Sequence, residues 1–384
     1  MLERTPLTFD IPRIVDRGTD AGQLFAGNGV QYYDLCCGTG CTGLDGILLE
    51  EIFAQVAEMP LNTYAYETEF RDEAEDELRL MYPGYAFAFF SGGAECVEAA
   101  LRVADVLVSP LRPPVTLSFT GAFHGKTFRA GRLGDMRHHG KHFLVANYER
   151  PTLPSPYHEP APGGETGALI APTTIIFEPM QTRNGVRPMS QTQMDELFAY
   201  AMQCGSIVIA DEISTTIRSG YPLLSCANVT GYKPDIICVG KNIGQGIPVA
   251  VLGVRADHVD AAERVSLTSG FGGNALACVA VERTLHHIRV NNILEKIQKR
   301  GVEFLNALTA EVSDLVHQVV GVGFWFGLEL KVEAIPVARA LAHRHWIVSP
   351  AGPMSIRLSP PFELQDAIWF EFLSDLREVL SAEN

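Results

Sequence analysis

Lys241 stands at the end of an apolar run and among glycines. The stretch "PDIICVGKNIGQG" (234–246) is rich in β-branched residues, as a buried strand would be, and its polar end carries this amine. An amine held in an apolar cleft has a lowered pKa, because desolvation disfavours its charged form, and it then becomes a nucleophile. The alternative is a surface lysine of which only the aliphatic stem is buried.

Asp211 and Glu212 follow a second apolar run, "SIVIA" at 206–210. A carboxylate at the end of a buried strand is unfavourable unless a cation or hydrogen-bond donors meet it. Asp211 could therefore be a permanent anion paired with a cationic nitrogen of a ligand. A capping role or an interdomain ion pair is the alternative, and the same alternative applies to Glu212.

The turn "SGGAE" (91–95) places two glycines before a helical pattern that begins near Ala94. The first N–H groups of such a helix point at an anion, so phosphate is the natural ligand. The turn is neither a Walker A sequence nor a GxGxxG fingerprint, which argues against nucleotides. A phosphate turn, an acidic strand end and an activated lysine are together the groups that bind pyridoxal phosphate.

Five short apolar segments must position these groups. They are followed in turn by "SGGAE", "TGAFHGKT", "EPMQ", "DE" and "GK", and they occupy residues 86–90, 115–119, 173–177, 206–210 and 235–239. Helical patterns such as 96–108 and 190–205 lie between them, which predicts a mostly parallel sheet covered on both faces. Ligands bind beyond the carboxyl ends of parallel strands, so the five turns should face one crevice.

Composition limits the function further. Hydrophobic residues make up 47% of the 384 residues and the formal net charge is −15, which fits a globular protein and argues against nucleic acid as a partner. We find no signal peptide and no apolar run that could span a membrane, and we expect a cytoplasmic protein. Eight cysteines lie mostly in or beside apolar runs, and Cys36, Cys37 and Cys41 lack a second ligand pair. We expect reduced thiols and no metal site.

Six ordered blocks between about residues 30 and 360 resemble the class III (ω- or ornithine-type) aminotransferases, which are pyridoxal-phosphate enzymes of fold type I. The blocks resemble, in order, the phosphate turn and helix, the YHG segment, EPVQ, FDEVxxGxxRTG, the lysine block and TFGGNPLAC. In this sequence they read "GGAECVEAALRVA", "FHGKT", "EPMQ", "VIADEISTTIRSG", "PDIICVGKNIGQGIPVAVLGV" and "SGFGGNALAC".

The resemblance implies roles for individual residues. Lys241 would form the imine with the cofactor and act as general base and acid, and Asp211 would hold the pyridine nitrogen protonated. Ile213 would pack under the ring. Phe123 would stack on the ring where the family usually has a tyrosine, and His124 belongs to the same block of cofactor-binding residues.

Four further positions follow from the same blocks. Gly93 and Ala94 would offer backbone N–H groups to the phosphate, and Glu178 would help to hold the cofactor pocket. Arg357 in "SIRLSPP" matches the C-terminal arginine that receives a carboxylate in ornithine-type members. A surface ion pair is the alternative role for Arg357.

Several positions depart from the family pattern. The hydroxyl residue expected at Ala94 is lost, and Gly270 replaces a threonine that reaches the partner subunit's phosphate, although Ser269 or Thr268 could substitute. Ser214 stands where a glutamine is expected near the phenolic oxygen of the cofactor. These changes imply a weaker hold on the phosphate.

The substrate side departs as well. Arg183 replaces the glutamate of EPVQGE, so the glutamate–arginine switch of ornithine-type enzymes is absent, and we expect Arg183 to contact the substrate. The HP pair of the substrate mouth is missing from "GTGCTGLDGILLEE" (38–51). We infer a reshaped substrate pocket with the catalytic lysine and aspartate retained.

The predicted fold is α/β, with a large pyridoxal-phosphate domain at 48–284 and a smaller α+β domain built from 1–47 and 285–384. The resemblance implies a homodimer with active sites at the subunit interface. The predicted reaction moves an amino group from a small-molecule amino donor to a ketone or aldehyde by a ping-pong mechanism. The altered mouth favours a specialised biosynthetic step, with an acceptor on a larger or carrier-bound molecule.

Other functions stay open at this point. The same cofactor site could serve an aminomutase or a decarboxylating transaminase. A non-catalytic scaffold of the same fold is a second alternative, for which the lost hydroxyls would be signs of decay. A nicotinamide-dependent dehydrogenase is the third, but the sequence has no GxGxxG after its first strand.

Overall fold

The computed structural model describes residues 11, 13–18, 20–40, 46–60, 67–108, 115–134, 152–153, 171–220 and 233–383. Cys41, Cys226 and part of the predicted substrate mouth lie outside these residues. The strands of the described chain are β1 (Ile14–Arg17), β2 (Gln23–Ala26), β3 (Gln31–Asp34), β4 (Tyr85–Phe90), β5 (Thr116–Phe119), β6 (Thr152–Leu153), β7 (Thr174–Phe177), β8 (Met180–Gln181), β9 (Arg187–Pro188), β10 (Ile207–Asp211), β11 (Ile236–Gly240), β12 (Ala250–Arg255), β13 (Val316–Val322), β14 (Trp325–Leu330), β15 (Trp346–Ile347), β16 (Ser349–Pro350) and β17 (Ser355–Leu358).

Helices of very different length connect these strands. They are α1 (Cys37–Gly40), α2 (Gly46–Val56), α3 (Glu69–Met81), α4 (Gly93–Leu107), α5 (Phe128–Leu133), α6 (Gln191–Cys204), α7 (Val259–Ala262), α8 (Ala275–Val290), α9 (Ile293–Val312), α10 (Ala334–His343) and α11 (Asp366–Glu383), with 3₁₀ turns at Lys241–Gly244 and Ala256–His258.

The central sheet has the strand order β4-β12-β11-β10-β7-β5-β6. Strands β5, β7, β10 and β11 pair in parallel, so the predicted parallel sheet is confirmed. Strand β12 is antiparallel to both of its neighbours, β11 and β4. This strand is not among those that the sequence predicts, because residues 250–255 continue the lysine block.

Both faces of this sheet are covered, which explains why its strands are apolar throughout. On β10 and β11, Ile209 and Ile236 cluster with Val97 of α4. The alternate residues Val208 and Ile237 belong to the core on the opposite face, together with residues of α6. This alternation follows from the two-residue period of a strand.

Helix α6 has the boundaries that its sequence predicts. Ser190 and Gln193 form a capping box at its start, each side chain accepting a hydrogen bond from the backbone N–H of the other residue. Gly205 ends the helix with φ 60° and ψ 44°, in the left-handed region that glycine adopts without strain. The chain can therefore turn directly into β10.

Two smaller sheets join the ends of the chain. Strand β15 pairs in parallel with β3, and the second sheet has the order β13-β14-β17-β16. Strand β3 of the N-terminal segment thus pairs with a strand of the C-terminal portion. The boundary at 284/285 stays a prediction, and it falls inside helix α8.

Candidate active site

Lys241 follows β11 directly and begins the 3₁₀ turn Lys241–Gly244. Its φ of 50° lies in the left-handed region, which is uncommon for a residue with a side chain and occurs most often at functional sites. The Nζ atom donates a hydrogen bond of 2.6 Å to Oγ of Ser214. The residue as a whole is partly buried.

Asp211 ends β10, the strand next to β11, and is 5% exposed. Its Oδ1 accepts a hydrogen bond of 3.2 Å from the backbone N–H of Ile213, and its Oδ2 lies 2.8 Å from Nδ1 of His124. Both carboxylate oxygens therefore have donors, which is the condition for keeping such a group in a buried position.

Glu178 follows β7 and reaches the turn after β5. Its Oε1 accepts a hydrogen bond of 2.9 Å from the backbone N–H of Phe123. Burial raises the pKa of Glu178 well above its usual range, and the nearby Asp211 carboxylate adds to this effect. The Phe123 amide and the cations Lys241 and Arg357 oppose it.

The phosphate turn is open, and its glycines bring Ile213 close. The N-cap residue of α4, Gly92, is extended, and a Cβ added to it would meet no atom within 4 Å. A Cβ on Gly93 would lie 3.1 Å from Cγ2 of Ile213, and a Cβ on Gly240 would lie 2.9 Å from Cδ1 of the same side chain. The Ile213 side chain therefore lies between the phosphate turn and the lysine strand, and larger residues at either glycine would displace it.

The turn after β5 packs on the start of α4. A Cβ on Gly125 would lie 2.6 Å from Cβ of Ala94, so the backbone approaches the helix closely there. Gln181 fixes the same turn from the other side, because its Nε2 donates a hydrogen bond of 3.0 Å to the Thr120 carbonyl oxygen. Residues from the ends of five strands, β4, β5, β7, β10 and β11, thus lie together, as the predicted crevice requires.

Ser269 and Gly270 lie apart from this group in sequence and near its edge. They belong to the turn between α7 and α8, in which a Cβ on Gly272 would meet the Phe89 carbonyl oxygen at 2.1 Å. Gly270 is exposed and Ser269 is partly buried. The hydroxyl groups of Ser266 and Thr268 are 2.9 Å apart, so Thr268 has a hydrogen-bond partner within its own segment.

Arg357 and Arg183 are the two arginines that the sequence predicts to bind substrate. Arg357, on β17, is 7% exposed and donates hydrogen bonds to the Thr182 carbonyl oxygen (3.3 Å) and to Oγ of Ser349 (3.2 Å). Arg183 is exposed and holds its guanidinium 4.5 Å from the ring centroid of Phe123. The two cations therefore flank the segment that contains Thr182.

Trp325 is a residue of this site that the sequence analysis missed. Its Nε1 donates a hydrogen bond of 2.8 Å to the Ser214 carbonyl oxygen, and its ring lies near Lys241 and Arg357. The signal in the sequence was a tryptophan in the short segment "GFWFG" (323–327), between two glycines. This segment lies outside the six blocks that carry the resemblance.

Six cysteines and one acidic cluster are other groups in the described residues with side chains that can bind a metal. Cys36, Cys37, Cys96, Cys204, Cys238 and Cys278 have free thiols. Glu77, Glu282 and His286 lie close enough to share an ion, but Arg289 already donates two hydrogen bonds to the Glu77 carboxylate. The arginine and His286 lower the pKa of Glu77, so this group serves as an ion pair between α3 and α8.

Similarity to known proteins decides the family. The sequence pattern of the family described as aminotransferase class-III matches residues 10–380. The chain belongs to the class III aminotransferases. It is therefore an enzyme of the transaminase type, and pyridoxal 5'-phosphate is the cofactor of this family.

Two relatives and one solved structure match this class III aminotransferase over almost its whole length. The LysW-aminoadipate semialdehyde/glutamate semialdehyde transaminase of Sulfolobus acidocaldarius is 28% identical, over 93% of this chain and 92% of the relative. The acetylornithine aminotransferase of Mesorhizobium japonicum is also 28% identical, over 97% and 93%. The structure of an amine transaminase from an uncultivated Pseudomonas species covers 100% of this chain and 98% of its own, with a TM-score of 0.85 and 22% identity. That likeness confirms the fold type.

The residues of this class III aminotransferase fit its cofactor. Asp211 is a buried acceptor at a strand end, and the neighbouring Nε2 of His124 is buried with no hydrogen-bond partner in the described part of the chain. The first turn of α4 has no side-chain cap, so its N–H groups can meet a phosphate.

None of the helices in the described ranges is both long and apolar enough to cross a membrane.

Proposed function

We propose that this class III aminotransferase moves an amino group from a small-molecule amino donor to a ketone or aldehyde in two half-reactions. The observation that carries the proposal is the pairing of Lys241 and Asp211 on adjacent strand ends, with Ser214 and His124 as their hydrogen-bond partners. Bound pyridoxal phosphate supplies a covalent carrier for the amino group and an electron-withdrawing ring.

The acidic side of the site is suited to hold the cofactor. Asp211 would pair with the ring nitrogen, and the hydrogen bond from His124 would orient that carboxylate. Ile213 and Phe123 would cover the two faces of the ring. The amides of Gly93 and Ala94, in the first turn of α4, would receive the phosphate.

Further cofactor contacts would come from more distant groups. Glu178 would keep the turn after β5 in place through its bond to the Phe123 amide. Ser269 and Gly270 would contribute across a homodimer interface, because they lie in an exposed turn rather than beside Lys241. We also propose the division into a domain at 48–284 and two flanking segments, which the pairing of β3 with β15 supports.

Lys241 would move the proton. Its amine is held by the Ser214 hydroxyl, which keeps it in one orientation. A general base must lie within hydrogen-bond reach of the proton it removes, and its conjugate acid then returns that proton to a neighbouring atom. The single Nζ atom can do both without a second titratable group.

The substrate side favours acidic donors. Arg357 would receive a carboxylate, because its planar guanidinium can bind both oxygens at once. Arg183 adds a second cation in place of the glutamate that the family usually has, so donors or acceptors with a second anionic group would be favoured. The name of the Sulfolobus relative gives a semialdehyde conjugated to LysW, which supports an aldehyde acceptor on a larger molecule in a biosynthetic step.

Replacement of Lys241 by alanine tests this function. We expect Lys241→Ala to lose the visible absorption of covalently bound cofactor and at least about 10⁴-fold of the activity. Lys233→Ala is the matched control. Lys233 precedes β11, the strand that ends before Lys241, and its Nζ donates a hydrogen bond to the Pro83 carbonyl oxygen on the protein surface. A Lys241→Ala protein that keeps both properties would disprove the proposal.

Substrates are identified by half-reactions. Purified enzyme is mixed with α-amino acids, ω-amino acids and diamines in turn, and the spectrum of the bound cofactor is followed. Product analysis then separates amino transfer from an amino group that shifts within one carbon skeleton and from release of carbon dioxide. A lack of response to every amine class would count against a transaminase.

A further inference from the structure

Trp325 links the two cations of the site. It is wholly buried on β14, and its Nε1 donates a hydrogen bond of 2.8 Å to the Ser214 carbonyl oxygen. The hydroxyl group of the same serine accepts the 2.6 Å hydrogen bond from Nζ of Lys241. One serine therefore joins the indole N–H to the amine.

The face of the indole ring makes a second connection. Nζ of Lys241 lies 5.8 Å from the ring centroid and Cζ of Arg357 lies 5.3 Å from it. Both distances fall within the roughly 6 Å over which a cation is attracted to an aromatic face. The ring thus contacts the catalytic and the substrate-binding cation of the proposed function.

The position of the ring is fixed on its remaining edge. A Cβ on Gly40 would lie 2.6 Å from the ring atoms Cζ2 and Cη2, and Gly40 has φ 84°, so no residue with a side chain fits there. Arg218 lies 5.7 Å from the same ring, and its Nη1 donates hydrogen bonds to the carbonyl oxygens of Phe324 and Pro360. The tryptophan therefore has little freedom to change its orientation.

We propose that Trp325 is a positioning residue that holds the Ser214 hydroxyl on the Lys241 amine and supports the Arg357 guanidinium. Because the side chain is wholly buried, it acts through these three residues and does not touch the substrate. This inference rests on the proposed function for the meaning of Lys241 and Arg357. The hydrogen bonds themselves can be tested in protein without cofactor.

The charges around the Lys241 amine determine whether it should become reactive at lower or at higher pH in the variants. Glu178, after β7, interacts electrostatically with Lys241, with Asp211 at the end of β10, and with Arg357 on β17. Against this fixed background, the Ser214 hydroxyl and the indole face both stabilise the protonated amine. Their loss should make the amine reactive at lower pH.

The first experiment measures acetylation of Lys241 in cofactor-free protein as a function of pH, with peptide mass spectrometry as the readout. We expect the midpoint to fall by about half a pH unit in Trp325→Phe, which keeps a ring but loses the N–H, and by about one pH unit in Trp325→Leu. Trp346→Phe is the matched control, since Trp346 lies on β15 of another sheet and its buried indole donates a hydrogen bond of 2.7 Å to Asp375 on α11. An unchanged midpoint in both Trp325 variants would overturn the proposal.

A double-mutant cycle tests the path through the serine. Ser214→Ala alone should lower the midpoint by about as much as Trp325→Phe, and the two changes together should not add. Additive shifts would overturn the link through Ser214. Circular dichroism and thermal unfolding establish that each variant is folded. If Trp325→Phe does not fold, Trp325→His takes its place. Because histidine keeps a ring N–H, its midpoint should shift less than that of Trp325→Leu.

Steady-state kinetics separate the effect of Trp325 on the Lys241 amine from its effect on the Arg357 guanidinium. Trp325→Phe should lower kcat about 3- to 10-fold with KM unchanged, whereas Trp325→Leu should also raise KM about tenfold for a carboxylated donor. The KM of Trp325→Leu for an alkylamine without a carboxylate should stay at the wild-type value. Equal changes for both donors would overturn the support of Arg357. The acetylation result stands even if Lys241 proves dispensable for transfer, so the two proposals can fail separately.

Discussion

The two sides of the site carry opposite charges and hold them differently. Asp211 and Glu178, at the ends of β10 and β7, accept hydrogen bonds from backbone amides and from His124. Arg183 and Arg357 lie instead over aromatic rings, and Arg357 also donates to a carbonyl and a hydroxyl oxygen. The acidic side is held by backbone amides and one buried ring, whereas the basic side depends mainly on aromatic rings from other segments of the chain.

This difference matters for function. Fixed carboxylates favour a cationic group that must stay in one place, such as a protonated ring nitrogen. Guanidinium groups on aromatic faces keep their charge and can still change contacts, which suits anionic substrates of different length. Substitutions on the acidic side should therefore affect the chemical step, and those on the basic side should affect substrate binding.

Among substitutions on the acidic and basic sides, the largest effect is expected from Asp211→Asn. The amide is neutral and cannot stabilise a cationic ring nitrogen, so kcat should fall about 10³-fold while the KM values of both substrates change little. Asp235→Asn is the control, because Asp235 is also buried at a strand of the same sheet and accepts a hydrogen bond of 2.8 Å from the Val208 N–H. A large rise in KM without a loss of kcat would place Asp211 on the substrate side.

Arg357→Ala should have the next largest effect. It removes the buried guanidinium, so KM for carboxylated substrates should rise about 10²-fold with a smaller change in kcat. Arg357→Lys keeps the charge without the planar fork and should restore part of the loss. Arg300→Ala is the control, since Arg300 donates to the Phe362 carbonyl oxygen away from the site. Equal KM values for wild type and Arg357→Ala would remove Arg357 from the binding site.

Glu178→Gln should change the pH dependence of stability. Burial raises the pKa of Glu178, so between the ordinary carboxyl range and that raised pKa the folded protein holds a proton that the unfolded chain has released. Unfolding free energy of the cofactor-free protein therefore falls as pH rises through this window, by up to about 1.4 kcal/mol per pH unit. Thermal unfolding of Glu178→Gln should lack this contribution, and the two proteins should converge at acid pH. Parallel curves would contradict the prediction.

Arg183→Gln should have the smallest effect. The exposed guanidinium over Phe123 contributes only a screened charge and a cation–π contact, so KM should rise about two- to fivefold, and only for substrates with a second anionic group. High salt should reduce the difference from wild type. A similar rise for substrates without that group would show that Arg183 acts through the position of Phe123 instead.

The strands of the central sheet could be predicted closely from the sequence. The predicted segments 173–177, 206–210 and 235–239 each begin one residue before β7, β10 and β11. The agreement is close because runs of apolar β-branched residues bounded by turns suit strands that are buried on both faces. Strand β12 was missed because residues 250–255 continue the lysine block, and nothing in them indicates that the strand runs antiparallel to its neighbours. Pairing between strands decides direction, and no local pattern encodes it.

Trp325 and the two arginines show the limit on the substrate side. Lys241, Asp211 and their turns lie at the ends of successive strands, so their proximity follows from the topology of a parallel sheet. Trp325, by contrast, reaches Ser214 across 111 residues of chain, and Arg357 reaches Thr182 across 175. Contacts over such separations depend on how the smaller sheets pack against the large one.

The sequence by itself determined the family, the cofactor, the parallel sheet and the catalytic candidates Lys241 and Asp211, because short ordered blocks and strand periodicity are local properties of the chain. Only the tertiary structure decided which groups meet those residues: the Ser214 hydroxyl at the amine, the His124 ring at the carboxylate and the Trp325 indole between two cations. The physical reason is that hydrogen bonds and cation–π contacts require separations of a few ångströms, which packing establishes and residue order does not.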